Sequence, residues 1–411
     1  MSTYAPASSV GWLDFDSAAS ERAAALLRAL EEPGTLDPIG LGVVRDAFSG
    51  ILSPGTSTIQ TRIRYFLFIP WICQRLESDR IAPREFAAKL RYREAQLIDC
   101  LRPLGPNRGI IGYSAGNKLK RLPSEVYWGG LRNWGLRRLD LSLAEYGQRA
   151  AALGRMKPER DDDHAAIARG ISMWATTMPG PPEDFLKAEI SFDLREEEAL
   201  FLADFIRHRR PGSLLAALCD DPKRAELASY PWEVPADGFG DGLVQALHHA
   251  RCFSELTVGP QHLYNALLAQ KARKEFGWET DEVEAREMAS LGRWADAVAQ
   301  RGAELGGWVE DIATFWAFLE PFESVSPVTR EFIEAIVEPA VQDPTGYHKN
   351  ETVRATLEAR ELRLKGKRAR LTNRAALESW NQAPFGGQLD YRWLVTKSYI
   401  SDMATALEAQ G

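Results

Sequence analysis

Sixteen Lys/Arg and six Asp/Glu lie between Gln60 and Arg138, a local balance of +10 in a chain whose formal net charge is −7. The rest of the 411 residues therefore sums to −17. Positive charge gathered in one segment against an acidic background suits an anion, above all phosphate. Within it, Arg62 and Arg64 follow Gly55-Thr56-Ser57-Thr58, whose small hydroxyl residues read as a helix start. Such a start either caps its own unpaired N–H groups or cradles a phosphate.

The stretch from Arg84 to Arg138 has more order. A helix over Glu85–Leu101 carries Arg91 and Arg93. A Gly/Pro-rich turn and a short helical stretch over 117–122, with Lys118, Lys120 and Arg121, come next. Pro123-Ser124-Glu125 opens a last helix bearing Tyr127, Trp128, Arg132 and Trp134, and Arg137-Arg138 ends it. This is the order of a helix-turn-helix or winged-helix module. Its last helix would enter the major groove, with Tyr127 and Arg132 at base edges or backbone and the flanking cations on phosphates. The plainer alternative has Trp128 and Trp134 filling a core, with the cations on a solvated face. Gly129-Gly130 weakens the helix in either case.

A second basic run spans 360–374: Arg360, Arg363, Lys365, Lys367, Arg368, Arg370 and Arg374 against Glu361. Like charges at i,i+3 and i,i+4 repel. Either phosphate or an acidic surface of the same chain must offset them.

Enzyme signatures are sparse. Gly112-Tyr113-Ser114-Ala115-Gly116 matches the nucleophile elbow, but that motif needs a parallel sheet and this chain supplies almost no strand pattern, so it reads as a turn. His248 and Cys252 are spaced i,i+4, which can hold a metal, with Glu255 and His262 nearby. Without a pattern such as H-E-x-x-H they read as surface or core residues, and Asp161-Asp162-Asp163-His164 reads as a capped acidic loop. No Walker-type or clear dinucleotide fingerprint is present. The expectation is no cofactor, no metal and no assignable catalytic residue.

These residues must be positioned by helices. Apolar residues recur at helical spacing over 18–31, 43–52, 59–69, 83–101, 142–154, 164–176, 194–209, 240–257, 260–275, 280–304, 308–319, 327–341, 351–371 and 389–409. Pro70 should kink or end the third of these near Phe66–Ile69. Residues 109–112 and 189–192 are candidate short strands. The fold expected is mainly α, with the helix-turn-helix-like segment at 84–138 and few short strands. Two parts follow: a basic N-terminal helical domain over 1–155 and a C-terminal helical domain over 185–411 with a basic helix at 351–374. A charged and proline-rich linker covers 156–184. The N-terminus lacks a signal-peptide pattern, and the longest apolar run, Tyr65–Cys73, is far short of the roughly 20 residues of a membrane span. Cys73, Cys100, Cys219 and Cys252 show no C-x-x-C pairing, which suits reduced thiols in a cytoplasm.

Several blocks then look familiar: Gly11-Trp-Leu-Asp-Phe15, Gly42-Val-Val-Arg-Asp-Ala-Phe48, Pro54 through Trp71, Leu122-Pro-Ser-Glu-Val-Tyr-Trp128, Leu263-Tyr-Asn-Ala-Leu-Leu-Ala269 and Leu389-Asp-Tyr-Arg-Trp393. Together the chain resembles, nearly end to end, an uncharacterised bacterial family, domain of unknown function 6361. The resemblance carries no catalytic residues. It implies a setting beside helicases, phospholipase-D-like nucleases or methyltransferases in phage-defence regions. The function expected is therefore a DNA-contacting accessory subunit of a defence or DNA-processing system, with a helicase or nuclease as protein partner and no membrane. Its phosphate contacts would be Arg62, Arg64, Arg91, Arg93, Lys118, Lys120, Arg121, Arg132, Arg137 and Arg138, extended by Arg363, Lys365, Lys367, Arg368 and Arg370. A helical protein-interaction scaffold, or an enzyme with an unrecognised site, are the alternatives.

Overall fold

The computed structural model describes residues 37–106, 108–115, 119–153, 159–160, 166–167 and 172–408. The helix expected over 18–31, Lys118 and the acidic run at 161–164 lie outside them. The protein is mainly α-helical. Among the described residues, strand pairing is confined to Glu159–Arg160 (β1) with Ala166–Ile167 (β2) and an isolated bridge between Arg137 and Trp174. The helix expected over 164–176 does not form in its described part, and 109–112 and 189–192 form no strand.

The N-terminal half is built on helix α1 (Gly42–Leu52), α2 (Tyr65–Ser78), α3 (Pro83–Leu101), α4 (Pro123–Asn133) and α5 (Leu143–Leu153). Helix α2 is the centre: every residue from Tyr65 to Cys73 is buried, and α3, α4 and α5 pack around it. Pro70 sits inside α2 without ending it. An interior proline costs about 3 kcal/mol, which burial of this all-apolar stretch outweighs. Helices α6 (Glu196–Arg209) and α7 (Leu214–Asp220) follow.

The spine of the second half is α8 (Asp241–Phe276), a single helix of 36 residues that runs through Pro260, where two helices are expected from the sequence. Gly277, with φ +67°, caps it in the left-handed conformation and turns the chain into α9 (Asp281–Gln300), which packs along α8. Short helices α10 (Gly302–Glu310) and α11 (Ile312–Leu319) come next, then α12 (Pro327–Gln342), α13 (Glu351–Lys365), α14 (Arg374–Glu378) and α15 (Trp393–Glu408). One buried apolar cluster runs from Ile39 to Ala406.

Two seams join distant parts of the chain. Along the first, α15 lies on the segment 53–63. Thr396 Oγ1 meets Ser53 Oγ (2.6 Å), Ser398 Oγ donates to the Thr61 carbonyl (3.0 Å), Tyr399 OH donates to Gln60 Oε1 (3.0 Å), and Asp402 accepts from Arg62. Along the second, the strap 385–391 runs antiparallel to α8, its backbone held by buried polar side chains. Asn265 exchanges two hydrogen bonds with Phe385, Gln261 two with Gly387, and Ser254 two with Leu389. Tyr391 OH closes the series on the Ala250 carbonyl.

Candidate nucleic-acid interface

Several arginines of the first basic segment are turned inward. Arg62 makes a two-pronged ion pair with Asp402, Nε–Oδ2 2.9 Å and Nη2–Oδ1 2.7 Å. Arg64 is buried and pairs with Glu198 at 3.0 Å, with a second bond to the Ser191 carbonyl. Several amides of the 55–63 loop are taken. Ser57 N–H donates to Gln60 Oε1, Thr61 and Arg62 N–H to the Tyr127 hydroxyl, and Ile63 N–H to Asp402. The loop is a structural joint, and the helix begins only at Tyr65.

The helix-turn-helix order does not become that module. Residues 119–122 are not helical, and α4 is a core helix. Tyr127 is fully buried, its ring edge-on to Phe66 and its hydroxyl bonded to the backbone at 61–62, so it is no base-edge contact. Trp128 donates to the Leu141 carbonyl, and Trp134 stacks on Phe66 with centroids 3.9 Å apart while donating to the Pro54 carbonyl. What α4 shows to solvent is Glu125, Gly129 and Arg132, too little for a recognition surface. Its N-terminus is capped from α3, where buried Glu94 accepts from Ser124 N–H and Oγ–H. Burial raises the Glu94 carboxyl to about 8, against the pull of the Ser124 hydrogen bonds.

Several other cations are also committed. Arg137 is buried over the Trp128 ring and donates to the Leu139 and Leu141 carbonyls. Arg93 bonds Gln96 and lies 3.6 Å from Asp79. Arg91 donates to the Leu119 carbonyl, and Arg132 lies 3.5 Å from Asp140. Lys120 and Arg138 are exposed and Arg121 half-buried, and among the described residues no carboxylate pairs with them.

The second run divides differently. Arg360 is buried, its guanidinium over Phe332 and donating to the Ile39 and Gly40 carbonyls and to Thr329. Gly40, at φ +73°, leaves the space, since a Cβ there would stand 2.5 Å from Arg360 Nη2. Glu361 is buried, accepts from the Tyr264 hydroxyl and Leu371 N–H, and draws Lys365 in to 3.5 Å. Desolvation lowers the Lys365 ammonium below its usual value, with Arg370 adding repulsion that the Glu361 charge opposes. Helix α13 then stops at Gly366, with φ +53°. Arg363, Lys367 and Arg368 are exposed and Arg370 is half-buried. No described carboxylate lies within ion-pair distance of these four. Arg374 covers the Phe276 ring. The helix dipole favours cations in the last turn of α13, which accounts for Arg363 and not for the three beyond the helix end. The two basic runs sit on different helix groups, α13 on α8 and α12, and α3–α5 around α2.

The architecture is thus a mainly helical assembly with a set of internal arginines and, among the described residues, surface cations in both basic runs that no carboxylate pairs with. The chain belongs to the family described as "Family of unknown function (DUF6361)", whose profile matches residues 7–407. Neither the curated proteins nor the solved structures contain a match to it. Among the described residues, no helix is long and apolar enough to cross a membrane.

Proposed function

We propose that this protein contacts nucleic-acid phosphates through the surface that ends α13, with Arg363, Lys367, Arg368 and Arg370 as the contacting groups. The observation that carries the reading is the absence, among the described residues, of a carboxylate partner for these four in a chain of net charge −7. Lys120, Arg121 and Arg138 likewise have no described carboxylate partner. On this reading the protein serves as the DNA-contacting subunit of a defence or DNA-processing assembly, the setting the family resemblance implies. Four phosphate contacts would make binding fall on the order of 100-fold between 50 and 200 mM salt. Gel-shift titrations of duplex and single-stranded DNA at those salts test it, alongside a variant with Arg363, Lys367 and Arg368 each changed to Glu. No complex at the lower salt, or equal binding by the variant, would sink the reading.

One observation favours a second reading, a protein partner with an acidic and apolar face. Leu362 and Leu364, which flank Arg363, are 47% and 43% exposed. Exposed leucines among cations suit a protein groove better than a phosphate backbone. Changing both leucines to Ser would then abolish co-purification of that partner and leave DNA affinity unchanged.

A further inference from the structure

We propose that His248, Cys252 and Glu304 form a zinc site that ties α10 to α8. The sequence places His248 and Cys252 one turn apart on α8, and the fold adds the third group, Glu304, from α10. Their ligand atoms all lie within 4.8 Å of one another. His248 Nδ1 is 3.4 Å from Glu304 Oε1 and 4.0 Å from Cys252 Sγ. A tetrahedral zinc, with bonds of about 2.0–2.1 Å to nitrogen and oxygen and about 2.3 Å to sulfur, sets edges of about 3.4 Å for N···O and about 3.6 Å for N···S. The first edge is already present and the second needs a closure of about 0.4 Å. His248 and Glu304 are both nearly half exposed and can supply that movement by rotamer adjustment.

The donor set selects the ion. One thiolate, one imidazole and one carboxylate suit zinc better than magnesium or calcium, which take oxygen ligands. Cys252 is fully buried, and burial raises its thiol to about 11, so zinc takes the place of a proton on sulfur, which leaves to solvent. Arg301 also lies against the Cys252 thiol, so zinc must displace it from sulfur. Arg301 lies between Glu255 and Glu304, and Arg251 pairs with Glu255 at 2.9 Å. Arg301 touches both Glu304 oxygens, with Nε 3.2 Å from Oε2. With zinc on Oε1 it keeps the Oε2 bond and holds the carboxylate in place, the usual outer-shell role.

The test uses the full chain without an affinity tag, titrated with Zn²⁺ against a chromophoric chelator and with Co²⁺ as an absorbing substitute. One equivalent of Zn²⁺ per chain is expected, with a thiolate-to-cobalt charge-transfer band. His248→Ala and Glu304→Gln, both at exposed positions, should each weaken binding about tenfold or more. Cys252→Ser should abolish the band, while Cys100→Ser, at a half-buried thiol elsewhere, should change neither readout. No stoichiometric binding, no thiolate band, or affinity unchanged in His248→Ala and Glu304→Gln would overturn the site.

Discussion

Arg62 and Asp402 stand 340 positions apart in sequence and form one planar two-pronged ion pair, 2.7 and 2.9 Å, that locks the C-terminal helix α15 onto the loop before α2. Asp402 also accepts from Ile63 N–H, so the same carboxylate fixes side chain and backbone of the loop. Burial raises the Asp402 carboxyl above its usual value although Arg62 opposes this. The charge pair therefore supplies positional specificity more than net stability.

Removing one partner should be costly. Asp402→Ala leaves a mostly buried guanidinium without its acceptor and should destabilise the protein by roughly 2–4 kcal/mol in urea unfolding. The double variant Arg62→Leu with Asp402→Leu should recover much of that loss, since neither charge then remains buried alone. A single-variant cost below about 0.5 kcal/mol would mean that the seam is held elsewhere.

Glu94 gives the fold a pH dependence with a definite sign. Its folded carboxyl titrates at about 8, above the ordinary 4.5, because it is buried behind α4. The folded state then binds the extra proton between those values. This contribution is complete below about pH 4.5 and is lost as pH rises through 8, up to about 5 kcal/mol at the linkage limit. Thermal unfolding at pH 5, 7 and 9 should show wild type losing stability across the series. Glu94→Gln, which keeps an acceptor for Ser124, should lose clearly less. Parallel curves for the two proteins would remove Glu94 from the account.

The strap on α8 should open locally when its clamps are cut. Asn265→Ala leaves Phe385 N–H and C=O without partners, at about 1–3 kcal/mol. Gln261→Ala does the same to Gly387. Amide exchange followed by mass spectrometry should rise across 385–389 in each variant and remain unchanged along α2. Protection of the strap equal to wild type would show that packing of Phe385 and Leu389, and not the amide clamps, holds it down.

Periodicity alone located much of the helical framework. Pro83 with the apolar repeat defines α3 to both its ends, and α5, α6 and α12 lie within one or two residues of the sequence expectation. These are local properties, set by i to i+4 hydrogen bonding and by prolines that end or begin a turn. The misreadings arose where tertiary burial overrode a local rule. Pro70 and Pro260 were absorbed into buried helices because core packing compensates for one missing hydrogen bond, and the described part of 164–176 has helical spacing without a helix.

Charge was legible as composition and illegible as surface. Arg62, Arg64 and Arg360 look like phosphate ligands in the sequence, yet each is used inside the protein, because an acceptor tens to hundreds of positions away is invisible to any local pattern. Tyr127 and Trp128 posed the same ambiguity between core and interface, and burial alone resolved it. The third member of the His248–Cys252–Glu304 group was hidden for the same reason. What the sequence by itself determined is the helical class, the family and the presence of two basic runs. Which cations face solvent was decided only when the chain closed on itself, because pairing and burial depend on distance in space and not on distance along the backbone.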